Sequence, residues 1–135
     1  MNERIEQILE EMDRYMSECT MLEFLARHRK MIYFNISLTK EQMAVSISVL
    51  DMSVRANNCL LRSGYTTIGS LVKAIASKED ASSKQQLLKI RSLGRKTAEE
   101  MLLMLMCYQF KILPEHEKGQ YVQEIVIMNV TIHSF

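Results

Sequence analysis

Residues 87–101 read LLKIRSLGRKTAEEM, and the stretch from Lys84 to Thr97 holds five bases and no acid. Two helical pieces meet there at Gly94, a residue that can take positive φ or let another group approach its main chain closely. The helix opening after it leaves unpaired N–H groups pointing outward, with the positive end of the helix dipole behind them. That chemistry suits a phosphate, and Arg95, Lys96 and the Thr97 hydroxyl stand where they would strengthen it. The competing reading is a helix–turn–helix corner in which Leu93 and Gly94 serve packing alone. A nucleotide-binding P-loop fails, because its earlier glycine would fall on Lys89 or Ile90 and no strand precedes the turn.

Other residue types capable of chemistry are scattered. His28, His116 and His133 have no Cys, Asp or Glu partner at ligand or triad spacing. Cys19, Cys59 and Cys107 are odd in number and far apart, which argues against both a disulfide frame and a zinc pair. The expectation is therefore no catalytic residue, no metal and no cofactor, hence not an enzyme.

Charge is unevenly divided. Residues 53–97 hold nine bases and two acids, whereas residues 1–52 hold six and nine and residues 98–135 hold two and five. A basic centre between acidic flanks points to an anionic partner for the middle alone, or to a solvated basic face. The start, MNERIEQILEEMDR, is charged where a signal peptide needs an apolar run, and no apolar stretch is long enough to span a bilayer. The expected setting is soluble and cytoplasmic, with no membrane partner.

These residues must be positioned by helices. A sequence of 135 residues, 47% of them hydrophobic and one a Pro, can bury a core, and its eleven Met suggest an adaptable one. Ile5, Ile8, Leu9, Met12, Met16, Cys19 and Leu22 recur at three and four residues, predicting one long amphipathic helix over about 3–28. Ser53 and Gly64 bracket a helix, Thr66 or Thr67 caps the next, and 77–85 reads as a polar loop. The helix after Gly94 runs from about Arg95 to Phe110 and is ended by Pro114. By composition 31–37 and 121–132 read as strands, the latter with Val122, Glu124, Val126, Met128, Val130 and Ile132 on one face.

The glycine corner, taken with VLDMSVRANNCLLRSGYTTIGSLV, resembles a known family. Over about residues 49–108 the motifs D-x-S-V-R-x-x-N-C-L, G-x-x-T-I-x-x-L and L-L-K-I-x-x-L-G-x-K-[ST] occur in the order found in the C-terminal domain of the bacterial RNA polymerase α subunit. The resemblance implies a compact helical domain with a helix–hairpin–helix motif that binds the minor groove of A·T-rich double-stranded DNA. It also implies contacts with RNA polymerase, σ or transcription factors and a nucleoid-associated location. Carried over by position, the DNA contacts fall on Arg55, Asn58 and Cys59, then on Gly94, Lys96, Thr97 and Glu100, beside the Arg95 that the helix opening itself suggests. Arg55 takes the place of the minor-groove arginine, and Asp51 that of an acid facing σ. The acid two residues earlier is Val49 here, Ser92 replaces a common Asn, and the loop between Val72 and Leu87 is several residues longer.

The expected fold class is mainly α, a compact helical bundle with an N-terminal amphipathic helix and a small β element from 31–37 and 121–132. The expected division is an extension over 1–48, a polymerase-α-like DNA-binding domain over 49–112 and a strand extension over 113–135. About 48 residues before the match cannot hold the large assembly domain of a full α subunit, so a free-standing relative is expected. Met101 to Cys107 are seven consecutive apolar residues, so residues 3–28 or 121–132 must cover a second face of their helix. A strand edge left open at 121–132 would join a second copy as a homodimer. Two functions compete: a DNA-binding transcription regulator, or an adaptor that uses the same fold to engage polymerase, σ or another regulator.

Overall fold

A computed structural model describes residues 3–28, 32–50, 52–76 and 95–133, and every regular segment among them is helical apart from one isolated bridge between Ser46 and Thr67. Two compact units result, one of residues 36–105 and one of residues 1–35 with 106–135.

In the 36–105 unit, local capping residues decide where each helix starts. Helix α3 (Lys40–Met43) is opened by a capping box: the Gln42 N–H donates to Thr39 Oγ1 at 3.2 Å and the Thr39 N–H to Gln42 Oε1 at 2.9 Å. A 3₁₀ turn (Ile47–Leu50) follows and buries Ile47 and Leu50. Helix α4 spans Val54–Arg62 and helix α5 spans Ile68–Ala76. Thr67 and Ser70 cap α5 reciprocally, each backbone N–H bonded to the other's hydroxyl at 3.2 and 3.1 Å. Backbone bonds from Ile47 N–H to Thr66 and from Ile68 N–H to Val45 hold the start of α5 beside the α3 turn. Gly69 is required by that approach, because a Cβ there would lie 2.8 Å from the Met43 carbonyl oxygen. The core of this unit is Leu60, Ile68, Leu71, Ala98, Met101 and Leu102, with Ala56 beneath α4.

Helix α6 (Arg95–Ile112) supplies its first eleven residues to that unit and its remainder to the other. From Met101 to Phe110 only Leu103 and Tyr108 are not fully buried, so the apolar run is covered all round as its composition requires.

In the other unit, the periodicity over 3–28 proves to belong to two helices rather than one. Helix α1 (Glu3–Asp13) buries Ile5, Ile8, Leu9 and Met12, and helix α2 (Met21–Arg27) buries Met21 and Phe24. The break has local causes. Thr20 takes an extended conformation and accepts from the Glu23 N–H at 3.2 Å, while the Asp13 carboxylate accepts the Met21 N–H.

The strand expectation for 121–132 is overturned. Helix α7 (Glu115–His133) covers it, starting after Pro114 with Glu115 and Glu117 in its first turn, where acids suit the dipole. Tyr121, Val122, Ile125 and Asn129 are its buried positions, a helical spacing rather than an alternating one. Residues 32–37 form no strand either; they are irregular, and Tyr33 and Asn35 bond to side chains of α7. The strand edge expected to join two copies is therefore absent among the described residues.

What replaces strand pairing is a side-chain clamp. Asn129 is fully buried, and its amide accepts the Tyr33 N–H at 2.8 Å and donates to the Tyr33 and Ile125 carbonyls, each at 2.8 Å. One amide thus satisfies both backbone groups of a residue that has no sheet partner. The Tyr121 hydroxyl adds a bond of 3.1 Å to the Asn35 carbonyl. At the other end of α7, Gly119 admits the Tyr15 ring, whose nearest atom would lie 3.1 Å from a Cβ there. Tyr15 also meets Phe110 edge-on at 6.2 Å between centroids, and Lys118 Nζ lies 5.2 Å from that Phe110 ring centre.

Replacing Asn129 with Leu should strand the Tyr33 backbone groups and lower stability by about 2 kcal/mol. Urea unfolding should show it, whereas Ile127→Ser at an exposed position of the same helix should cost less than about 0.5 kcal/mol. Alkaline stability offers a second check. Burial pushes the Cys107 thiol up to about 12 from an ordinary 9.0, and burial pushes Tyr121 upward too, aided by Cys107 and Glu124. The folded state then holds protons that the unfolded state releases, so this stability is complete below pH 9.0 and declines as pH climbs toward about 12. Cys107→Ala should flatten the fall in urea midpoint across that window.

Candidate nucleic-acid interface

Helix α4 is locally specified at both ends. Ser53 caps it, its hydroxyl accepting from the Ala56 N–H at 3.2 Å. Gly64 ends it at φ 89°, with Tyr65 N–H bonded to the Leu60 carbonyl at 2.9 Å and Gly64 N–H to the Leu61 carbonyl at 3.1 Å. That double closure is a Schellman motif, and a left-handed residue at its corner favours glycine. Between the ends, Ala56 and Leu60 turn inward, while Val54, Arg55, Asn58, Leu61 and Arg62 are exposed. Arg55 and Asn58, three residues apart, share one side of the helix. Cys59 is half-buried at the margin of that side, a position between a contact residue and a small core residue.

The second group of expected contacts opens helix α6. Arg95 is its first residue, Lys96 is exposed, and Thr97 and Glu100 are half-buried. Lys96 and Glu100 are one turn apart on one face. Gly94, where the sequence leads one to expect a hairpin turn, and Asp51, the acidic position near Val49, lie outside the described residues. Val49 itself is 40% exposed.

A hydrogen bond links the two groups. The Ser53 N–H donates to Glu100 Oε1 at 3.4 Å, a carboxylate meeting the positive end of α4. Glu100 thereby holds the start of α4, two residues before Arg55, one turn along α6 from Lys96. To its expected place among the contact residues, the bond adds a positioning task. Ser53 is legible in the sequence only as a cap, and its second task, donating its own N–H across to α6, has no signal in local sequence. Among the described residues, no group of three His, Cys, Asp or Glu could hold a metal ion, and no helix is long and apolar enough to cross a membrane.

The family of the C-terminal domain of the bacterial RNA polymerase alpha subunit matches residues 35–106, just over half of the sequence and nearly coincident with the 36–105 unit. The chain belongs to that family. Its members are DNA-binding, transcription-associated domains of RNA polymerase. Among similar proteins, the DNA-directed RNA polymerase subunit alpha of Symbiobacterium thermophilum is 41% identical over 66 residues, 49% of this chain and 18% of that protein. The corresponding subunit of Carboxydothermus hydrogenoformans is 37% identical over 79 residues, 58% of this chain and 23% of that protein. The match thus spans less than a quarter of either relative. No solved structure matches.

Removing the Ser53 hydroxyl should cost this polymerase-α-type domain about 1 kcal/mol, the usual worth of an N-cap. Ser53→Ala should lower the unfolding midpoint by that amount in urea, and Ser53→Asp should restore it.

Proposed function

We propose that the 36–105 unit docks on double-stranded DNA at the minor groove of A·T-rich sequence. The reading is carried by one observation: exposed Arg55 and Asn58 stand on a helix whose start is bonded to Glu100, one turn from exposed Lys96. Arginine and asparagine suit that groove, because its floor offers acceptors and a narrow A·T groove concentrates negative potential. Arg95, Lys96 and the Thr97 hydroxyl, at the opening of α6, would hold phosphates and fix the register. Cys59 would lie at the edge of the contact. RNA polymerase and transcription factors are the partners that family membership suggests for such a domain.

A second reading, an adaptor that engages polymerase, σ or another regulator through this fold, is favoured by the apolar residues Val49 and Val54, 40% and 76% exposed. Asp51 would serve that reading as the acid facing σ.

Fluorescence anisotropy with A·T-rich and G·C-rich duplexes separates the two. DNA docking through three or four cations should give a salt slope of roughly −3 and micromolar or weaker affinity. Arg55→Ala should lower both affinity and A·T preference, while Lys96→Ala should weaken all sequences alike. Equal binding by wild type and Arg55→Ala would sink the minor-groove reading.

A further inference from the structure

The exposed residues of α4 are ordered across its surface. Val54 and Leu61, 76% and 43% exposed, form one edge, Asn58 lies in the middle, and Arg55 and Arg62 form the other edge. All five fall within about a third of the helix circumference at 3.6 residues per turn. Arg62, seven residues after Arg55, lies two turns further along that basic edge, ~10 Å down the axis. Among the described residues neither arginine side chain has an ion pair or hydrogen-bond partner.

Arg62 has a reason to be basic that Arg55 lacks. It is the last residue of α4, at the negative end of the helix dipole, where the Leu60 and Leu61 carbonyls are already bonded to the Tyr65 and Gly64 N–H groups. A phosphate brought close to that end would be repelled unless a cation stood there. We infer that Arg62 is a phosphate clamp for the C-terminal half of α4, so that the helix lies across the groove with Arg55 and Asn58 at its floor and Arg62 on the flanking backbone. The inference rests on the minor-groove reading and adds a residue to it. It also assigns the residue a distinct role: a phosphate contact fixes position and carries no sequence information, whereas a base-edge contact carries it.

The test is anisotropy with A·T-rich and G·C-rich duplexes over a salt series, using wild type, Arg55→Ala, Arg62→Ala and Arg62→Lys. Arg62→Ala should weaken both duplexes roughly five- to tenfold near about 0.1 M salt and make the salt slope shallower by about one. The A·T preference should stay at the wild-type ratio. Arg62→Lys should recover most of the affinity, because a point charge serves a phosphate. An Arg62→Ala protein that binds like wild type while Arg55→Ala loses binding overturns the clamp alone. A changed A·T preference in Arg62→Ala overturns the phosphate role in favour of base contact. Wild type that binds neither duplex, or Arg55→Ala that matches wild type, overturns the groove reading and the clamp with it. Circular dichroism melting of each variant confirms that an exposed side chain has been removed from an intact fold.

Discussion

The apolar run in helix α6 is the constraint on which the other elements depend. A surface helix hides one stripe, but this one buries Met101, Leu102, Met104, Leu105, Met106, Cys107, Gln109 and Phe110 within ten residues. Such a helix cannot stand against a single neighbour; it must be covered from several directions. The fold meets that demand by dividing the helix. Its first eleven residues enter the core that Leu60, Ile68 and Leu71 share, and its last seven enter the unit built with α1, α2 and α7. Methionine suits such a core, since an unbranched thioether fills irregular gaps without a fixed branch to place. In the 36–105 unit the polar opening turn of the helix stays accessible, with Lys96 exposed and Thr97, Glu99 and Glu100 half-buried.

Polar groups carry the precision that a methionine-rich core lacks. Glu100 secures the start of α4, and the Asn129 amide secures the Tyr33 backbone, in each case by bonds between segments far apart in sequence. A buried amide is costly unless its groups are paired, so Asn129 tolerates one arrangement of the 32–36 segment and few others. Placing a carboxylate at the start of α4 orients the helix whose outward side carries Arg55 and Asn58. In the 36–105 unit a single hydrogen bond thus ties the opening turn of α6 to the start of α4.

What is legible in the sequence follows from how local each signal is. Helix α4 is readable because Ser53 and Gly64 act on their own neighbours, and Arg95 to Phe110 because an apolar run closed by Pro114 has few other fates. The division of 3–28 is hidden although Thr20 and Glu23 have the spacing of a capping pair, because apolar periodicity continues through the break. The last segment misleads because Val and Ile dominate it, and β-branched composition is a weak guide once tertiary burial decides. Its helix start is nonetheless written in LPEHE: a proline followed by acids in the first turn. The Ser53–Glu100 bond spans 47 residues and the Tyr33–Asn129 pairing 96, distances over which no local pattern could announce a partner.

Charge divides along the same boundary as packing. The 36–105 unit holds ten bases and six acids, while the other residues hold seven and ten, although the whole sums to +1. On charge alone, attraction for a polyanion would come from the family-type unit, and the acids of the other residues would oppose it. Their opposition is long-ranged only in dilute salt, because the Debye length is about 10 Å at 0.1 M. The short-range contacts proposed for Arg55 and Lys96 would be screened far less than the field of acids elsewhere in the molecule. For the proposed docking, raising salt would weaken two terms of opposite sign, the counterion release that favours DNA and the repulsion from acids elsewhere in the sequence. Under the proposed docking, a nearly neutral protein of this kind would gain less from low salt than its own basic unit would, and fitted contacts rather than net charge would supply the binding.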